Sequence, residues 1–184
     1  MKNVIIGLAL VLGMAGCAEK ADAGDWYVQG GAGITKYDFE GASDDQEGTN
    51  YFGAVGYIFD NNLGIEGEYG YTDTADLATG AEVDSTSYYT VYGVGRLPLD
   101  NKDRVNLLMK AGFGYSETDL KFKGASDDDD TAWYPAFGAG VEWMVSDSWG
   151  VLGIVDYKVY DYSTGGNDFK ADPITYKVGL QYRF

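Results

Sequence analysis

From Trp26 to the C-terminal Phe184 the chain alternates apolar and polar side chains with a period of two, segment after segment. This is the repeat of a β-strand, whose successive residues point to opposite faces, and nothing after residue 24 carries helical periodicity. The first segment, residues 26–37, places Trp26, Val28, Gly30, Ala32 and Ile34 on one face. The third sets Leu63, Ile65, Gly67, Tyr69 and Tyr71 against Gly64, Glu66, Glu68, Gly70 and Thr72. The last sets Ile174, Tyr176, Val178, Leu180, Tyr182 and Phe184 against Lys177, Gln181 and Arg183. Counting every such segment gives eight strands of about ten residues, enough to cross a bilayer at a tilt.

The connections alternate as well. Turn residues at 60–62, 100–103 and 146–148 make short links after strands two, four and six, while longer polar stretches follow strands one, three, five and seven. Short periplasmic turns and long extracellular loops are the asymmetry of outer-membrane barrels. Charge decides which face meets lipid. The apolar face carries no Asp, Glu, Lys or Arg, whereas Glu66, Glu68, Arg96, Lys110, Glu142, Asp156, Lys158, Lys177 and Arg183 all lie on the other. One Lys or Arg facing lipid at the midplane costs roughly 2–4 kcal/mol, so nine charges there would overwhelm the roughly 5–15 kcal/mol stability of a domain. The charged face is therefore expected inside, as a paired network filling a lumen too narrow for much else. Glu66 and Glu68 are expected to pair with Arg96 and Lys110. Counting from the short turns sets Glu66, Glu68, Arg96 and Glu142 at one depth, with Lys110, Asp156 and Lys177 a step higher. The aromatics near the strand ends, Trp26, Tyr51, Tyr89, Trp133, Trp143 and Trp149 among them, suit girdles at the two bilayer interfaces. The fold class expected is all-β: an eight-stranded antiparallel up-and-down transmembrane β-barrel.

The third segment, the run Tyr92-Gly93-Val94-Gly95-Arg96-Leu97-Pro98-Leu99 and the terminal Tyr182-Arg183-Phe184 resemble the OmpA/OmpX-like small outer-membrane barrels, a porin-like superfamily. The resemblance covers about residues 24–184 and implies a cell outer membrane location in a Gram-negative bacterium. It also implies that Tyr182 and Phe184 act as the signal read by the barrel-assembly machinery. The chain stops at the eighth strand, so the peptidoglycan-binding domain of larger members is not expected.

Residues 1–23 read as a signal peptide: Lys2 starts it, residues 4–15 form an apolar run too short to span a membrane, and Ala21-Asp22-Ala23 is a small-x-small cleavage pattern. A second reading stays open. Met14-Ala15-Gly16-Cys17 resembles a lipoprotein signal, which would leave Cys17 acylated as the first mature residue.

Composition narrows the function. A formal net charge of -16 argues against nucleic acid as a partner. With 16 tyrosines, 8 phenylalanines and 4 tryptophans, disorder is excluded. The chain has no histidine, so a serine nucleophile lacks its usual base and histidine-ligated metal sites are excluded. No enzyme and no cofactor are expected. The acidic excess is read into the long loops, with Glu40, Asp44, Asp45 and Glu47 in the first and Asp73, Asp76, Glu82 and Asp84 in the second. The third loop holds Asp127, Asp128, Asp129 and Asp130, and the fourth Asp161, Asp168 and Asp172. Such carboxylates attract oxygen-seeking cations, but the Asp run lacks the spacing of a calcium loop and is only a weak metal candidate. The functional expectation is a structural or surface-interaction barrel, monomeric, in contact with outer-membrane lipid and lipopolysaccharide. The alternatives are a narrow porin-like channel for small solutes or ions and, further off, a soluble periplasmic ligand-binding barrel.

Overall fold

The computed structural model describes residues 24–37, 46–59, 62–76, 81–102, 104–122, 128–164 and 167–184. Ten strands follow one another: β1 (Asp25–Tyr37), β2 (Gln46–Ile58), β3 (Leu63–Asp76), β4 (Ala81–Pro98), β5 (Val105–Phe122), β6 (Asp128–Met144), β7 (Trp149–Lys158), β8 (Tyr160–Thr164), β9 (Asn167–Ala171) and β10 (Ile174–Arg183). Eight of them close into one barrel, β1-β10-β7-β6-β5-β4-β3-β2, every pairing antiparallel. Closure comes from β1 against β10, in register from Tyr27↔Arg183 to Lys36↔Ile174. The eighth segment of the sequence reading is β10; β8 and β9 form a separate two-stranded hairpin.

Alternation sorts the two faces in every barrel strand. Along β7 exposed and buried residues alternate without a break. Phe113 and Trp133 are 72% and 76% exposed, as are many other large apolar side chains to a lesser degree, an outer surface no water-soluble domain would carry. Rings gather at its two edges. Tyr69–Tyr89 and Tyr115–Trp133 sit at the long-loop edge with centroids 5.0 and 5.4 Å apart. Trp26–Tyr57 and Trp149–Tyr182 sit at the short-turn edge at 5.2 and 5.0 Å. Along β6, Trp133 and Trp143 bracket the apolar band; ten residues of strand span roughly 33 Å, or about 25 Å of bilayer once tilted.

The short turns are closed by local chemistry. Asn62 sits in the left-handed region at φ 62°, which asparagine tolerates, while Phe59 and Leu63 join by a backbone hydrogen bond of 2.7 Å. Asp100 Oδ1 accepts the Val105 and Arg104 N–H groups at 3.1 and 2.7 Å. Those donors, Val105 foremost, hold its carboxyl below the usual carboxylate range.

The far end departs from the sequence reading. Strands β4, β5 and β6 run 18, 18 and 17 residues, well beyond the ten that cross lipid, whereas β7 and β10 have 10 each. Glu47, Asp73, Asp76, Glu82, Asp84 and Asp128–Asp130 therefore belong to strands, not loops, and Asp161 and Asp168 belong to the β8–β9 hairpin. Hydrophobic alternation stops where lipid stops, but the backbone ladder continues because a neighbouring strand still supplies hydrogen-bond partners. Glu40, Asp44, Asp45 and Asp127 lie outside the described residues, as do Cys17 and the whole of residues 1–23.

Three interior tyrosines share one packing device. Tyr27, Tyr88 and Tyr134 stand opposite Gly56, Gly70 and Gly114 on the neighbouring strand, and a Cβ at any of these glycines would overlap the ring. Gly67, three residues from Gly70 and facing outward, has nothing within 4 Å of the same position. Gly70→Ala is accordingly expected to destabilise the folded barrel by about 1–3 kcal/mol in detergent–urea titrations, and Gly67→Ala to stay within about 0.5 kcal/mol of the parent. Equal effects would overturn the inside–outside assignment of β3.

Candidate functional site

Because successive strands are staggered, side chains from distant parts of the chain meet on the barrel axis, where they form two charged clusters. The deeper one joins β3, β5, β7 and β10. Lys110 Nζ lies 2.6 Å from Glu66 Oε1 and 3.8 Å from Glu68 Oε2. Lys177 Nζ lies 2.5 Å from both Glu68 Oε1 and Asp156 Oδ2. Glu66 Oε2 also accepts the Tyr27 hydroxyl at 2.6 Å and the Gln29 amide at 2.9 Å. All five charged side chains are 4% exposed or less, so none can trade its partner for water.

The second cluster lies toward the short turns and centres on Glu142. Its Oε1 accepts Arg96 Nη2 at 3.2 Å and the Gln181 amide; its Oε2 accepts Arg183 Nη2 at 2.5 Å and Asn106 Nδ2 at 2.8 Å. Arg96 thus pairs with Glu142, while Glu66 and Glu68 pair with the two lysines. The depths counted from the turns fail for the same reason. Strand tilt carries β3 residues up beside Lys110, Lys177 and Asp156, and a count along each chain segment ignores that stagger.

Lys158 is treated differently. It is buried, and among the described residues no carboxylate lies within ion-pair distance of its Nζ; the nitrogen instead sits 3.1 Å from the centroid of the Tyr88 ring and 5.7 Å from that of Tyr134. A ring face offers an ammonium partial electrostatic compensation where water is excluded. Tyr88 in turn exchanges hydrogen bonds with Asn50 at 3.1 and 3.2 Å, and Tyr134 bonds Thr90 at 2.8 Å. With Lys158 counted, three acids (Glu66, Glu68, Asp156) face three amines (Lys110, Lys177, Lys158) in the middle of the barrel, equal in number.

The remaining candidates fall elsewhere. Tyr182 and Phe184 pack edge-on at 5.1 Å in the short-turn girdle. Asp128, Asp129 and Asp130 have their backbone in β6, Asp129 opposite Asp119, and Asp127 and Cys17 lie outside the described residues. No group of three or more His, Cys, Asp or Glu able to hold a metal is found among the described residues. Sequence reading singled out charges and missed the neutral groups that complete the plug: Tyr27, Tyr88, Tyr92, Tyr134, Gln29, Asn50, Asn106 and Gln181, all 5% exposed or less. Their signal was parity, since each falls on the same face as the charges.

Removing Lys177 leaves buried Asp156 without an ion pair and Glu68 with only the 3.8 Å contact to Lys110, whereas Glu142 keeps three donors without Arg96. Lys177→Met is therefore expected to lower unfolding stability in detergent by about 3–5 kcal/mol, and Arg96→Ala by about 1–3 kcal/mol. An order reversed in urea titrations would mean that the pairing does not carry the interior's stability.

Known proteins share this architecture. The structure of Neisserial surface protein A aligns with a TM-score of 0.71 at 16% identity, covering 86% of this chain and 97% of the other. Ail, the attachment invasion locus protein of Yersinia pestis, aligns at 0.60 and 18%, covering 88% and 99%. The outer membrane protein OprG from Pseudomonas aeruginosa aligns at 0.59 and 16%, covering 88% and 96%. Comparison with curated protein sequences finds no match. At these identities the likeness establishes the fold, and the sequence itself matches the family described as outer membrane protein beta-barrel domain over residues 6–184. The chain belongs to that family, and it is a small integral β-barrel of the Gram-negative outer membrane.

Proposed function

We propose that this barrel serves a structural or surface-interaction role and does not conduct. The observation that carries the reading is the packed interior: Tyr27, Tyr88, Tyr92 and Tyr134 interleave with the ion pairs across the axis, each at most 2% exposed. Eight strands leave space for little more than side chains. What varies on such a scaffold is what it shows to the outside. Here that is the tall β3–β6 wall and the β8–β9 hairpin, both rich in carboxylates.

Charge limits the partners. Ail has been crystallised with the heparin analogue sucrose octasulfate, but a chain at -16 repels polyanions. A cationic partner, or lipopolysaccharide bridged by divalent ions, suits the rim better. A histidine-free interior whose carboxylates are already paired supports a non-catalytic protein. Closure leaves no barrel edge strand to recruit a second copy, which supports a monomer. The edge-on pair of Tyr182 and Phe184 in the short-turn girdle supports their reading as the signal for the assembly machinery.

Planar-bilayer recordings test the main claim. The refolded protein is expected to leave the baseline of a protein-free membrane, and the double variant Tyr88→Ala, Tyr134→Ala to open a stable conductance. A steady open level in the parent protein would favour the narrow solute channel instead. For the rim, lipopolysaccharide binding should rise with magnesium and fall on chelation; indifference to magnesium would remove the bridging idea.

A further inference from the structure

Beneath the Glu142 cluster, at the short-turn mouth, lies a vestibule of about 300 Å³ lined in part by Asp25, Asn62, Arg96, Asn106 and Arg183. Its roof is cationic. Two guanidinium groups converge on the single Glu142 carboxylate, so one positive charge is not neutralised by a direct partner. The Nε–H groups of Arg96 and Arg183 are both buried, and neither has a hydrogen-bond partner. The Arg96 and Arg183 side chains are only 6% and 15% exposed, so bulk water compensates them poorly. Asp25 also lines the vestibule and is exposed, and the ion pairs of both arginines go to Glu142. Buried donors left without acceptors are unfavourable, and arginine pairs bind phosphate oxygens more strongly than any neutral acceptor.

We propose that this vestibule is a binding site for a soluble phosphate-bearing anion on the periplasmic side, held by Arg96 and Arg183 under a roof that Glu142 keeps in place. A phosphate in the vestibule has enough acceptor oxygens to engage both guanidiniums at once, a turn of each side chain bringing its buried Nε–H to the anion, which a single acetate-like carboxylate does less completely. Glu142 acts here as a positioning residue. It orients the two guanidiniums through their Nη2 atoms and leaves the Nε edges unused. Asp25 weakens the site by proximity and keeps affinity modest, as suits reversible binding in a crowded compartment.

The test follows the arginine side-chain N–H resonances of the full barrel, refolded in zwitterionic detergent with 15N-labelled arginine. Inorganic phosphate is titrated against chloride at matched ionic strength. The Arg96 and Arg183 Nε–H signals should move together and saturate in the low-millimolar range. Acetate should be weaker, and Arg183→Gln should abolish the saturation. Asp25→Asn changes an exposed rim residue and should tighten phosphate binding roughly threefold to fivefold, the size of one near-surface charge interaction. Shifts that follow chloride equally, or an Asp25→Asn protein with unchanged titration, would overturn the proposal. So would a shift seen only in phosphatidylglycerol nanodiscs without added phosphate, because that would assign the arginines to lipid headgroups.

Discussion

In hydrocarbon no water is available to backbone N–H and C=O groups, so every one must find a partner within the protein. For a chain with strand periodicity the only solution is a sheet without edges, and the pairing of β1 with β10 supplies it. The rest of the architecture follows from that closure. It creates an inside and an outside, and period-two alternation then assigns each residue to one or the other. It also makes the interior small, so polar side chains placed there must satisfy one another.

How they do so departs from a simple balance of charge. A buried ion pair gains little net stability against an apolar pair of similar volume, because desolvation offsets the attraction. Lining the interior with ions nevertheless has a consequence for the lipid face: a strand shifted by one residue would turn Glu66, Lys110 or Lys177 into hydrocarbon. The charges therefore specify register as much as they stabilise the folded barrel. The tyrosine–glycine pairs act in the same direction. Tyr88 fits over Gly70 in one register only, and a one-residue slip would set the ring against Tyr69 or Tyr71.

The two charged clusters differ in what they leave without a hydrogen bond, acid and phenol oxygens in the deeper one and arginine N–H donors at the mouth. Around Glu68 and Asp156 the lysines answer carboxylates directly, with Lys158 held on the Tyr88 ring. Around Glu142 the carboxylate is surrounded by four donors, while Arg96 and Arg183, which line a vestibule, keep buried Nε–H groups without an acceptor. Of the two sets, only the second borders that vestibule, which is consistent with a barrel closed at mid-membrane and open to chemistry at its mouth.

Strand number, facing and the separation of lipid side from lumen side were legible in the sequence, because a period of two and the absence of charge on one face are local properties of each segment. The nine interior charges were legible for the same reason. Partner choice was not: Arg96 was read toward Glu66 and Glu68 but meets Glu142, since strand stagger shifts neighbouring segments by amounts that no single segment encodes. Strand length above the membrane was also hidden. Polar residues such as Asp128–Asp130 resemble loop in sequence, and only pairing with β5 makes them strand. The sequence by itself determined that this chain must be a barrel with a charged inside, because burial in lipid admits no other placement of those residues. The tertiary structure decided which charges meet, which tyrosines fill the axis and where the arginines are left unsatisfied, because those depend on shear and closure, properties of all eight strands together.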